Sequence, residues 1–136
     1  MSTELETRPL GRTGLNVPLI CLGTMTYGEQ NTQDQGFEQM DYALSRGINF
    51  FDTAELYAIP PRPETAGSTE TIIGNWMKAR GNRQQIVVAS KVVGRSPMNW
   101  FRADGSASRV NKAQIDEAVA GSLKRLQTDY IDLYQI

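Results

Sequence analysis

The sequence predicts an α/β fold of repeated βαβ units, closed as a barrel in preference to an open, doubly wound sheet. Three observations lead there. Short apolar runs begin near residues 19, 49, 86 and 130, and apolar residues recur at helical spacing between them. Each interval leaves room for the right-handed crossover of roughly 30 residues that joins two parallel strands. The fingerprint GxGxxG of dinucleotide-binding open sheets is missing after the first run. Gly23-Thr24-Met25-Thr26-Tyr27-Gly28 carries two glycines, but no Lys-Ser or Lys-Thr follows, so it is not a phosphate-binding P-loop either.

The elements follow in order. Residues 7–10 and 15–18 flank the turn Gly11-Arg12-Thr13-Gly14 and predict a small β-hairpin. Leu19-Ile20-Cys21-Leu22, closed by Gly23, predicts a buried strand with Cys21 as a small core residue. Phe37, Met40 and Leu44 mark a helix over residues 33–46, with Gly47 where a C-terminal glycine belongs. Ile48-Asn49-Phe50-Phe51 predicts the second strand, which ends at Asp52. Pro60, Pro61 and Pro63 make residues 58–67 a loop. Ser68 is expected to cap a helix that buries Ile72, Ile73, Trp76 and Met77 and stops at Gly81-Asn82. Glu70 reads as a first-turn helix charge. Ile86-Val87-Val88-Ala89 predicts the third strand, closed by Ser90 and Lys91. Residues 94–110 predict a long loop and a candidate lid, since structureless loops beyond about 12–15 residues are uncommon unless functional. Trp100 and Phe101 within it either line a substrate pocket or pin the loop. Asn111 with Gln114 forms a capping-box signature for a helix carrying Ile115, Val119, Ser122, Leu123 and Leu126. Residues 130–136 predict the fourth strand.

Composition narrows the function. The chain has 136 residues, 40% hydrophobic and 21% charged, as expected of one soluble globular domain. A net charge of -1 implies no basic face, so nucleic acid and anionic membrane are not expected partners. No apolar run approaches the roughly 20 residues of a membrane helix. Residues 1–8 lack the apolar core of a signal peptide. One cysteine excludes an internal disulfide and fits a reducing, cytoplasmic compartment. The absence of histidine removes serine–histidine and cysteine–histidine nucleophiles and HExxH zinc sites, and no metal site is expected.

Active sites of β/α barrels lie at the C-terminal ends of the strands. Strand two ends there in Asp52, with Tyr57 five residues on, and strand three ends in Lys91. Taken singly, each has a plainer reading: a helix cap, a packed ring, a solvated charge. Together they make a device. A tyrosine ordinarily titrates near about 10. A lysine ammonium ~4 Å away favours the phenolate by at most ~4 kcal/mol at an effective dielectric near ~20, enough to lower that value by up to ~3. An aspartate would keep the lysine charged. Such a tuned general acid suits protonation of a carbonyl oxygen during hydride transfer from a nicotinamide.

The wording around these residues resembles one family. Gly47-Ile48-Asn49-Phe50-Phe51-Asp52-Thr53-Ala54-Glu55-Leu56-Tyr57 resembles the first signature of the aldo-keto reductases. Ser68-Thr69-Glu70-Thr71-Ile72-Ile73-Gly74 is similar to the helix after it, and Val88-Ala89-Ser90-Lys91-Val92 to the family's lysine strand. The segment over residues 122–136 is similar to its fourth helix and strand, and residues 23–28 to its first barrel loop. Pro60-Pro61-Arg62-Pro63-Glu64-Thr65 resembles the bacterial Tas-like branch.

The resemblance implies the N-terminal half of a (β/α)8 TIM barrel over residues 1–136, preceded by a hairpin and truncated after the fourth strand. It implies reduction of small-molecule aldehydes or ketones with NADPH or NADH. Tyr57 would be the proton donor, Lys91 its tuner and Asp52 the partner of Lys91. Gly23, Thr24 and Met25, beside Asp52 and Tyr57, would lie near the cofactor. The family's fourth catalytic residue is a histidine directly after the fourth strand, where this sequence stops at Ile136, so a fragment without activity of its own is the expectation. Self-association through exposed half-barrel edges is expected with it. The alternatives are a non-catalytic binding or regulatory protein on the same barrel, as in the potassium-channel β subunits that resemble this family, and an inactive truncated product.

Overall fold

The computed structural model of the chain describes residues 5–136. Residues 1–4, half of the stretch read above as free of a leader, lie outside the described residues. Strands β1 (Thr7–Pro9) and β2 (Asn16–Pro18) pair antiparallel as the expected hairpin. Gly11 and Gly14 take φ of +56° and +81° in its turn, a region that favours glycine.

Four parallel strands follow, β3 (Leu22–Gly23), β4 (Phe50–Asp52), β5 (Val87–Lys91) and β6 (Leu133–Gln135), hydrogen-bonded in that order. Helices α1 (Gln33–Ser45), α2 (Ser68–Arg80) and α3 (Lys112–Leu126) fill the connections. This is the first half of a β/α barrel, as the alternation predicts.

Strand alternation divides the side chains between two faces. Phe51, Val88 and Ser90 turn toward the helices and are fully buried. The core there consists of Tyr27, Met40, Ile73, Trp76 and Leu126 packed on Phe51 and Val88, with the Phe51 and Trp76 rings 5.5 Å apart. The indole N–H of Trp76 donates to Asp41 Oδ1 at 2.8 Å, so burying the ring leaves no polar group unpaired. Asp52, Lys91 and Gln135 share the opposite face.

Helix α3 meets α2 through small residues. Its buried stripe is Gln114, Ala118, Ser122 and Leu126, and Ile115, Val119 and Leu123 are only partly buried. A Cβ on Gly74 of α2 would stand 2.3 Å from the carbonyl oxygen of Arg125, so only glycine admits this approach. At the N-terminal rim Arg83 donates to Ile86 O (2.8 Å), Tyr130 O (2.8 Å) and Asp132 Oδ2 (2.9 Å), and Asp132 Oδ2 accepts from Val88 N at 2.8 Å. These bonds fix β5 against β6 in register.

Three expectations are corrected. Residues 19–21 are not a buried strand: Leu19 is 53% and Ile20 51% exposed, Cys21 is exposed, and only Leu22–Gly23 pairs. The cause is position, because β3 is the outer strand of the sheet and among the described residues no strand pairs with its free side. Ser68 does not cap α2. The cap is Gly67 at φ 84°, and the Ser68 and Thr69 hydroxyls donate to Tyr27 O instead. Half of the Asn111–Gln114 box forms: Asn111 accepts from Gln114 N, but the Gln114 side chain turns to Arg102, Arg109 and Ala107. The complete box is at Thr32 and Gln35, opening α1. Glu70 is the expected first-turn charge of α2, but it is not solvated. It is fully buried, accepts from Ser90 Oγ at 3.1 Å and Arg125 Nε at 3.0 Å, and burial raises its pKa above the usual carboxylate range.

Candidate active site

The three residues singled out from sequence lie together at the C-terminal rim. Register explains why. Asp52 of β4 pairs with Ala89 of β5, so Lys91, two residues on, faces the same side one step higher. Lys91 Nζ donates to Asp52 Oδ1 and Oδ2 at 3.0 and 2.9 Å and to Thr53 O at 2.7 Å. The same ammonium stands 4.9 Å from the centroid of the Tyr57 ring. Tyr57 rides on the loop after β4, held by its backbone: its N–H donates to Ala54 O at 3.2 Å and its carbonyl accepts from Gly67 N at 2.9 Å.

A cavity of about 270 Å³ opens beside them, lined by Gly23, Thr24, Met25, Thr26, Asp52 and Tyr57. It gathers all five residues expected near a cofactor. Thr24 is buried and its hydroxyl donates to the Asp52 carbonyl at 2.6 Å, tying the loop after β3 to the end of β4. Ile59 N donates to Met25 O at 2.9 Å and joins that loop to the Tyr57 loop.

Sequence reasoning missed three neighbours. Gln135, directly opposite Lys91 in register, donates from Nε2 to Asp52 Oδ1 at 2.9 Å. Strand alternation from residue 133 would have placed it on this face. Glu55 and Arg102 form a bidentate pair at 2.6 and 3.0 Å, with side chains only 2% and 1% exposed, and Glu55 Oε1 also accepts from Val93 N at 2.7 Å. This pair clamps the Tyr57 loop to residues 94–110, so the expected lid is pinned through its middle. Trp100 and Phe101 pack edge-on, centroids 5.4 Å apart. They line a second cavity of about 280 Å³ with Arg102, Glu117 and Arg125, which shares no lining residue with the first. The structure therefore does not bring them to Tyr57.

Cys21 reports on the field of the site. Partial burial chiefly, then the Asp52 carboxylate, push its thiol up from 9.0 to about 11, against the pull of Lys91. Only about a hundredth of the ordinary thiolate is then present near neutral pH. Alkylation by iodoacetamide, followed against pH, should show a midpoint well above 9.0 despite the exposure of Cys21, and Asp52→Asn should bring it down. A midpoint at the free-thiol value, indifferent to Asp52→Asn, would contradict this account. Among the described residues no three His, Cys, Asp or Glu side chains cluster as a metal site, and no helix is long and apolar enough to cross a membrane.

Comparison with known proteins agrees with this geometry. The profile described as "Aldo/keto reductase family" matches residues 19–136. Protein tas of Escherichia coli is 52% identical over 124 residues, 90% of this chain and 35% of that protein. The uncharacterized oxidoreductase YrpG of Bacillus subtilis is 42% identical over 134 residues, 97% of this chain and 40% of its own length. A crystal structure from Pseudomonas aeruginosa, assigned as an aldo-keto reductase, superposes with a TM-score of 0.72 at 33% identity, covering 94% of this chain and 45% of that one. The chain thus spans less than half the length of each of these relatives.

Proposed function

The chain belongs to the aldo/keto reductase family of oxidoreductases, and from that premise we propose that its 136 residues are the N-terminal half of an NADPH- or NADH-dependent barrel reducing small aldehydes or ketones. The observation that carries the reading is the contact of Lys91 with both Asp52 and the Tyr57 ring at the strand ends.

The rim suits a nicotinamide. Gly23 has nothing within 4 Å of where a Cβ would stand, leaving open approach to the cavity floor. Gly23, Thr24 and Met25 would hold the ring against Asp52 and Tyr57. When bound, the cofactor supplies the hydride. Tyr57 donates its hydroxyl proton to the carbonyl oxygen as negative charge develops there. Lys91 stabilises the phenolate left behind, and Asp52 with the Thr53 carbonyl holds that half-buried ammonium in place. No disulfide or membrane-spanning helix enters this reading, and a cytoplasmic location is proposed with it.

The test is carbonyl-dependent oxidation of NADPH or NADH by the complete barrel protein across a panel of aldehydes and ketones. Turnover supports the reading. Tight cofactor binding without turnover on any carbonyl would favour a non-catalytic binding protein and overturn it.

For the 136-residue chain alone, self-association is the expected behaviour. Leu19 and Ile20 lie exposed beside the free edge of β3, and Tyr130 and Ile136, 41% and 82% exposed, lie beside the free edge of β6. Sedimentation velocity should show assemblies that grow with concentration. A monodisperse monomer would rule this out.

A further inference from the structure

We propose that Gln135 is a positioning residue that orients the Asp52 carboxylate toward Lys91, an inference that rests on the catalytic reading of Tyr57 and Lys91 above. The Asp52 carboxylate turns about a terminal torsion with a broad, shallow profile, so something must hold its plane. Lys91, anchored on the Thr53 carbonyl at 2.7 Å, fixes where the carboxylate's charge is met, but a single ammonium donating to both oxygens leaves the carboxylate plane free to tilt about it. Gln135 supplies a third point. It projects from β6, is directly opposite Lys91 in the ladder, and its Nε2 donates to Asp52 Oδ1 at 2.9 Å. Oδ1 thus accepts from both neighbours while Oδ2 faces Lys91 at 2.9 Å. The ladder fixes the Gln135 backbone, since Val92 N donates to its carbonyl at 3.3 Å.

The amide's neutrality matters. A second cation here would compete with Lys91 for the carboxylate, and a second carboxylate would compete with Asp52 for the ammonium. A neutral donor fixes geometry and leaves the charge balance of Lys91 and Asp52 intact. Both carboxylate and ammonium are about one-third exposed, at 32% and 28%. Water can therefore replace the Gln135 bond without replacing its direction, and the ammonium can drift from the Tyr57 ring it now faces at 4.9 Å. The amide meets Asp52 on β4, which pairs with Lys91 on β5; the other ionisable groups facing that pair are Tyr57 on the loop after β4 and Cys21 ahead of β3.

The experiment compares Gln135→Met, Gln135→Glu and Tyr57→Phe in the complete barrel protein, with circular dichroism confirming the fold. Gln135→Met keeps the volume and removes the donor. It should lower kcat by roughly tenfold or more, the scale of a hydrogen bond to a charged group, with KM for the nicotinamide within about twofold. In a Lys91→Met background the same change should cost nothing further, because the residue acts through that pair. Gln135→Glu should lose more at neutral pH and recover at acidic pH, as the introduced carboxyl gains a proton and donates to Asp52 again. A purely structural role would show no such recovery. Wild-type kcat and pH profile in both Gln135 variants, with Tyr57→Phe inactive, overturns the positioning role and leaves the parent reading standing. An active Tyr57→Phe overturns the parent reading and this inference with it.

Discussion

Replacing Tyr57 by phenylalanine is expected to lower carbonyl reduction by ~10²–10⁴-fold while leaving nicotinamide binding essentially unchanged. The substitution is clean on structural grounds. The ring that Lys91 faces at 4.9 Å remains, and so do the backbone bonds from Tyr57 N to Ala54 O and from Gly67 N to Tyr57 O. The side chain loses one oxygen and with it the only proton it could give. Single-turnover hydride transfer separates the chemical step from binding, and fluorescence titration with NADPH reports affinity. A variant turning over at near wild-type rate would show that the proton comes from elsewhere. A variant that loses cofactor affinity in proportion to rate would make Tyr57 a binding residue.

This prediction stands on residues that were readable in the sequence, and the reason is geometric. A short apolar run that stops at a charged residue marks the point where a buried strand emerges at the rim. Asp52 and Lys91 both sit at such points, on strands that turned out to be neighbours. Their pairing at 2.9–3.0 Å needed only parallel register to follow. Gly23, Thr24 and Met25 come from the family resemblance rather than from periodicity, and they line one cavity with Asp52 and Tyr57 at the equivalent exit from β3.

What escaped lies where periodicity carries no information. Residues 94–110 have no repeat, so nothing marked Arg102 as the one loop side chain buried against Glu55. Helix position places Glu70 correctly in the first turn of α2, but it does not say that this turn faces Ser90 and Arg125 rather than water. Ser68 carries a good capping side chain, yet Gly67 at φ 84° turns the chain so that its hydroxyl meets Tyr27 O. An apolar run also cannot tell a central strand from an outer one, so it predicts Cys21 in the core where the structure leaves it exposed. The Thr32–Gln35 box, by contrast, was there to be read.

The Glu55–Arg102 pair carries the second large effect. Arg102→Met should destabilise the protein by about 3–5 kcal/mol, because it leaves the Glu55 carboxylate buried without its cation. That carboxylate is 2% exposed and retains one partner, Val93 N at 2.7 Å. The guanidinium is equally committed, with Nε donating to Gln114 Oε1 at 3.2 Å, so the loss also frees the link to α3. A single unpaired buried charge costs far more than an exposed one, whereas removing both partners can come close to neutral. The double variant Glu55→Gln with Arg102→Met should therefore be clearly less destabilised than the two single effects added. Chemical denaturation of the complete barrel protein, as wild type, the two single variants and the double variant, gives the cycle directly. Function should follow stability at a distance. Glu55 lies two residues before Tyr57, so releasing its clamp loosens the loop that aims the phenol, and kcat should fall even where the fold survives. Trp100, two residues from Arg102 and 37% exposed, supplies an optical check, because unpinning the loop should shift its emission to the red. An Arg102→Met protein within about 0.5 kcal/mol of wild type, the range of an ordinary surface substitution, would show that the clamp holds nothing.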